Sequence, residues 1–236
     1  LPAFLLFMAV ISTFISSLST ANEHSMKGLV DIRAFSINGD NEADGYLSGD
    51  YGKYRYGQGS GIVLSQLAIQ YKVEFNDKFS TTIVANAFAD DHQTNAGLTE
   101  AYLTYKGLPT ANGWRYRAKL GLFYPKISLE NNATAWSTPY TLSSSSLNNW
   151  VGEEFRHSGA AMTVEKLGKF TKSEHDFLLD ISFFQNNDTA GAMLSWHGWA
   201  LGSRQTLLQE KLIVQPFYAR KWDLKTQAEH SDPFIE

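Results

Sequence analysis

"GWRYRAKLGLFYP", residues 113–125, sets Trp114, Tyr116, Ala118, Leu120, Leu122 and Tyr124 at alternate positions and places Arg115, Arg117 and Lys119 between them. A helix would scatter the apolar set, because residues two apart sit about 200° apart around the axis. A strand gathers it onto one face and leaves the basic residues on the other. The two end aromatics, Trp114 and Tyr124, are ten steps apart. At ~3.3 Å per residue and a strand tilt of ~40°, they would be separated by about 25 Å along a barrel axis. That is the height of the apolar band of a transmembrane β-barrel, which aromatic girdles flank on both sides.

The totals leave room for this reading. A chain of 236 residues can bury one large core, and a net charge of −4 argues against a nucleic-acid partner. Cysteine is absent, which removes disulfides, thiolate metal sites and cysteine nucleophiles together. "AFLLFMAVISTFI", residues 3–15, has the length of a signal-peptide core and is too short to span a bilayer as a helix. Ser19 and Ala21 then sit at −3 and −1 of a cleavage site before Asn22. The expectation is a signal peptide over residues 1–21 and a mature chain over 22–236. The polar ending "AEHSDPFIE" does not close as an aromatic-tipped strand, and the start lacks an initiator Met and a basic n-region. The chain is therefore read as the N-terminal part of a larger barrel, with sequence missing at both ends.

Beyond Asn22 one unit repeats: about ten alternating residues, then a break. "LSQLAIQYKVEF" (64–75) opposes Leu67, Ile69, Tyr71, Val73 and Phe75 to Gln66, Ala68, Gln70, Lys72 and Glu74. "NDK" (76–78) is a tight turn by its Asn and Asp. The pattern predicts strands over 28–37, 62–75, 79–89, 98–106, 114–124, 158–167, 176–186 and 207–220, all antiparallel. Short turns flanked by aromatics, near Asp77, Pro109 and Lys172, alternate with longer connections at 38–61, 90–97, 125–157 and about 187–205. Outer-membrane barrels alternate short periplasmic turns with longer outer loops, which water-soluble sandwiches have no reason to do. An Arg or Lys facing lipid at the midplane costs about 2–4 kcal/mol, so the basic face of the opening strand must look into the barrel.

"RAKLGLFYPKISLENN" entering a long loop, together with "WVGEEFRHSGAAM" leaving it, resembles the phosphate-selective porin O/P-like family of Gram-negative outer membranes. The likeness is specific over residues 115–162. It implies a sixteen-stranded barrel, commonly a homotrimer, whose third long loop folds inward to narrow the pore. Here that loop is 125–157. The family's anion selectivity rests on lysines and arginines at the constriction. This loop instead carries Glu130, Glu153 and Glu154 against Lys126 and Arg156, so weak selectivity is expected.

The expected function is passive diffusion of small hydrophilic solutes or ions, with membrane lipid and lipopolysaccharide as surroundings. Arg115, Arg117, Lys119, Lys72 and Glu74 are the expected pore-lining residues, and wall carboxylates such as Glu74 or Glu100 could neutralise the basic ladder. No cofactor or reaction is implied. The six histidines are dispersed, HExxH and GxSxG do not occur, and "GQGSG" (57–61) has Ile62 where a dinucleotide fingerprint needs its third glycine. A lipid-acting barrel enzyme would need a Ser and a His on the wall, but in "HSG" (157–159) His157 and Ser158 would point to opposite faces. That enzyme and a secreted water-soluble β-protein binding ligands are the alternative readings. Trp136, Trp150, Trp196 and Trp199 in the long loops could stack on sugars or anchor loops to one another.

Overall fold

In a computed structural model, residues 23–37, 59–89, 94–145, 147–148, 155–185, 204–213 and 234–235 are described. The fold is all-β. Seven strands, β1 (Glu23–Ile37), β2 (Gly59–Glu74), β3 (Phe79–Ala89), β4 (Thr94–Lys106), β5 (Trp114–Phe123), β6 (His157–Lys166) and β7 (Phe177–Gln185), form one sheet. Every strand pairs antiparallel with its neighbour in sequence, so the order is that of the chain. Among the described residues the sheet is not closed into a barrel; β1 and β7 are its edges. A separate two-stranded ladder joins β8 (Leu212–Ile213) to β9 (Phe234–Ile235). No helix among the described residues is long and apolar enough to cross a membrane.

The turns follow their side chains. Between β2 and β3, Asn76 Oδ1 accepts from the backbone N–H of Lys78 and Phe79, both at 2.9 Å, in an Asx turn. Between β4 and β5, Gly113 adopts φ 77°, and a Cβ there would stand 2.6 Å from the Leu167 carbonyl oxygen. Only glycine suits that position. Between β6 and β7, Asp176 Oδ1 accepts from Gly168 N–H at 2.7 Å.

The two faces of the sheet differ in chemistry. Directly paired residues share a face, which puts Met26, Tyr71 and Ile83 in one outer row and Trp114, Lys166 and Phe177 in another. Met26, Val30, Ile32, Ile69, Tyr71, Ile83, Tyr116 and Leu120 are all exposed on this outer face. The inner face buries Gln66, Thr82, Asn86, Glu100, Thr163 and Glu165. The same face also buries Val63, Ala68, Val84, Phe88 and Phe123, so it is the apolar exposed face that departs from a water-soluble half-buried sheet, whose exposed side is polar. Strand β7, at the edge, is exposed along almost its whole length.

Two bulges tune this division. The register slips by one residue in β2 between Leu64 and Leu67, and in β4 between Leu98 and Glu100. Each inserts an extra polar residue, so that Ser65 with Gln66, and Thr99 with Glu100, are buried as consecutive pairs. The first bulge also explains why the outer apolar positions change from Ile62 and Leu64 to Leu67 and Ile69.

Several expectations are corrected. β4 begins at Thr94, because pairing continues through Ala87–Ala96, Phe88–Asn95 and Ala89–Thr94. The β3–β4 connection is therefore 90–93, no longer than the turn at 75–78, and the strict alternation of loop lengths fails there. β1 starts at Glu23 rather than residue 28. The expected strand 207–220 is strand only at Leu212–Ile213 among its described residues. Residues 207–210 instead pack on the sheet. Finally, Tyr124 is only 3 % exposed and belongs to no outer girdle. The strand ends at Phe123, ahead of Pro125, and the chain turns inward.

Candidate functional site: the loop-covered inner face

Loop 125–157, described here over 125–145, 147–148 and 155–156, folds onto the inner face. Its 3-10 turn, Thr134–Trp136, packs against β1 and β2. Ala135 joins Ala68 and Val84 in a small apolar cluster, with Leu29 packed against it. Ala135 and Trp136 both have φ 56°, a left-handed conformation costing about 1–2 kcal/mol in a residue with a Cβ. The contacts around the turn hold it there. Ala135 N–H donates to Gln70 Oε1 at 3.4 Å. The Trp136 ring stacks on Tyr124 with centroids 4.3 Å apart and planes 12° apart. Farther along, Arg33 Nη2 donates to the Leu142 carbonyl at 2.7 Å, while the same guanidinium is held by Asp31 at 2.5 Å.

The basic ladder of β5 lies on this face, but its three members differ. Arg115 and Arg117 both donate to Glu165, which stands on the neighbouring strand and is 7 % exposed. The carboxylate paired with the two arginines is thus Glu165, while Glu100 acts on Lys119. Glu74 pairs within its own strand with Lys72, at the short-turn end of β2. Lys119 makes no ion pair among the described residues; its ammonium lies 4.8 Å from the Tyr102 ring centroid and 5.5 Å from that of Phe123. The charges that act on it are Glu100, Asp180, Lys126 and Arg117.

Lys119, Arg117 and Lys126 line one open depression together with Thr163 and Asp180. Thr163 Oγ1 donates to Asp180 Oδ2 at 2.6 Å, so the acid there is already engaged. Of the loop's expected constriction charges, Lys126 is exposed at this depression. Glu130 is turned back into its own loop, accepting from Ser145 N–H and Oγ, each at 2.6 Å. Arg156 is buried, and its Nη1 donates to the carbonyls of Thr206 at 2.6 Å and Thr99 at 3.4 Å. Glu153, Glu154, Trp150, Trp196 and Trp199 lie outside the described residues, as does the signal segment 1–21. His157 is buried on the inner face, 4.0 Å from Phe184 in a parallel stack, while its neighbour Ser158 is exposed on the outer face.

The sequence reading missed Glu165 and Asp180. Both were visible as acids in "AAMTVEKLG" and "FLLDISFFQ", and their parity places them inward once the pairing with β5 is known. It also missed the buried pair Arg204 and Glu210, joined by two hydrogen bonds of 2.9 and 2.7 Å, because Arg204 was read as part of a long loop and Glu210 as part of a strand. No family model, no curated protein and no solved structure matches this chain.

Proposed function

We propose that the chain is part of a Gram-negative outer-membrane β-barrel that passes small hydrophilic solutes or ions by passive diffusion, with loop 125–157 narrowing the path. One observation carries this reading: a seven-stranded sheet whose outer face is apolar and exposed, and whose inner face sets buried charged and amide side chains among smaller apolar clusters beneath the chain's own loops. Contiguous apolar surface across several strands is rare on a water-soluble protein, and its natural solvent is hydrocarbon. Lys166 supports the boundary of that surface, its ammonium 5.0 Å from the Trp114 ring centroid beside the short turns. A lysine against an aromatic ring is a typical interfacial pairing. The resemblance over residues 115–162 points the same way and carries the homotrimer with it. Lipopolysaccharide would surround the long-loop end.

On this reading the selectivity mechanism is a balance of fixed charges. Glu165 offsets about half the charge of Arg115 and Arg117, and Glu100 acts on Lys119, leaving Lys119 and Lys126 opposite Asp180 at the depression. These groups line one depression, where a permeating ion would feel them together. A permeating ion then meets a small positive excess and a weak anion preference. The test is twofold. Full-length protein extracted from outer membranes should migrate differently on a gel before and after heating, and should give discrete conductance steps in planar bilayers. Protein that stays soluble without detergent, or inserts without conducting, would overturn the reading.

A further inference from the structure

Residues 204–210 make an unusual number of buried polar contacts for a connection. Arg204, Gln205, Thr206, Leu207 and Glu210 are all buried. The Arg204 guanidinium, held by Glu210, lies 3.5 Å from the Phe88 ring centroid on the inner face of β3. Leu208 N–H donates to the Leu98 carbonyl at 2.9 Å, which anchors the segment to β4 beside its bulge. Gln205 reaches both ways. Its Oε1 accepts from Gln66 Nε2 of the β2 bulge at 3.0 Å, and its Nε2 donates to the Trp136 carbonyl of the inward loop at 3.1 Å. Gln66 in turn donates to Asn86 Oδ1 at 3.2 Å. From the far end of loop 125–157, Arg156 completes the contact through the Thr206 carbonyl. The segment is therefore bonded to the wall on one side and to the loop on the other.

We propose that residues 204–210 are a second inward-folded segment that clasps loop 125–157 to the wall, and that Gln205 is the positioning residue fixing the width of the narrow section. This rests on the porin reading for its functional consequence, but not for its geometry. The geometry suits Gln205: a side-chain amide donates and accepts at once, so one residue can tie two partners, whereas a carboxylate or an ammonium can serve only one kind. Gln66 is buried and Trp136 half-buried, so losing the amide leaves a Gln66 N–H unsatisfied on the wall and strips the Trp136 carbonyl of one of its two donors, Asn131 Nδ2 at 2.9 Å being the other. The two β-bulges supply the polar contacts that a regular alternation would have turned outward.

The absence of cysteine makes the test clean. A Cβ on Gly97 would stand 3.5 Å from the Leu207 Cβ, within the ~3.5–4.5 Å range of a disulfide. In full-length Gly97→Cys/Leu207→Cys protein that retains the heat-modifiable band, mild oxidation should form the bond in the folded state, and single-channel conductance should be the same oxidised and reduced. Gln205→Leu and Gln66→Leu should each raise conductance and open-channel noise, and the double variant should do no more than either single one, because they share a bond. Two free thiols in the folded protein after oxidation, or a Gln205→Leu channel identical to the parent, would overturn the clasp. Disulfide formation in a protein that never conducts would sink the porin reading and uphold the clasp.

Discussion

Leu120→Arg distinguishes the solvents that the outer face could meet, because the size of its effect differs sharply between them. Leu120 sits midway along β5, 60 % exposed, in a row with Leu103, Ala160 and Phe183. In water, an exposed leucine has little to lose, and a surface substitution of this kind changes stability by within about 0.5 kcal/mol. In hydrocarbon, an arginine near the midplane costs about 2–4 kcal/mol. At 1.36 kcal/mol per decade this is a loss of roughly 30- to 900-fold in the folding equilibrium. Ser182→Arg is the control. It introduces the same side chain on the inner face, in register with Ala161 and Lys119, where the barrel reading places water. Full-length protein refolded into lipid vesicles across a urea series should show the midpoint of Leu120→Arg displaced to low denaturant and that of Ser182→Arg close to the parent. Equal midpoints for all three would refute a lipid-facing outer surface.

Three further outcomes follow from the same geometry. Glu165→Gln removes the anion shared by Arg115 and Arg117. It should cost about 1–3 kcal/mol of stability and move the zero-current potential in a salt gradient toward anion preference, less so at higher salt. An unmoved potential would show that these charges do not face the permeating ion. Ala135→Val forces a β-branched residue into a left-handed backbone with φ 56°, against Ala68 and Val84. Loop docking should weaken by about 1–3 kcal/mol, read as faster protease cutting within 125–148 while the strands stay protected. Single cysteines at Asp77, in the short β2–β3 turn, and at Tyr140, which is 95 % exposed in the inward loop, should differ toward an impermeant maleimide on intact cells. Labelling at Tyr140 alone is expected, and labelling at Asp77 alone would invert the topology.

The strands and their faces were legible because a period of two is a local property. Seven of the eight expected strands appear within a few residues of their expected bounds. Alternation says which way a side chain points and nothing about what lies over it. Tyr124 shows this: its parity continues the apolar face of β5, yet the chain has left the sheet, and the ring serves as a platform for Trp136. The β3–β4 connection was misjudged because Asn95, Gly97 and their neighbours have turn chemistry, whereas the backbone pairing that absorbs them is set by β3. Pairing of Arg115 and Arg117 with Glu165 depends on the β5–β6 register, across a loop of more than thirty residues by the sequence, so spacing could not foretell it. The segment 204–210 was illegible for another reason. Its polar side chains bond to both wall and loop, and one-dimensional hydrophobicity records neither partner.

The neighbour-only pairing of the sheet has a consequence for the order in which the molecule comes together. From β2 to β5 each hairpin closes over a short stretch of chain, residues 75–78, 90–93 and 107–113, so the entropic cost of zipping these four strands is modest. The contacts that fasten the inward segments span far more sequence: 109 residues from Arg33 to Leu142 and 139 from Gln66 to Gln205. Those loops cannot close until the strands that receive them exist. The wall is thus an early event and the filling of its interior a late one, and substitutions at Gln205 or Ala135 should accelerate loop release while leaving the rate of wall formation alone.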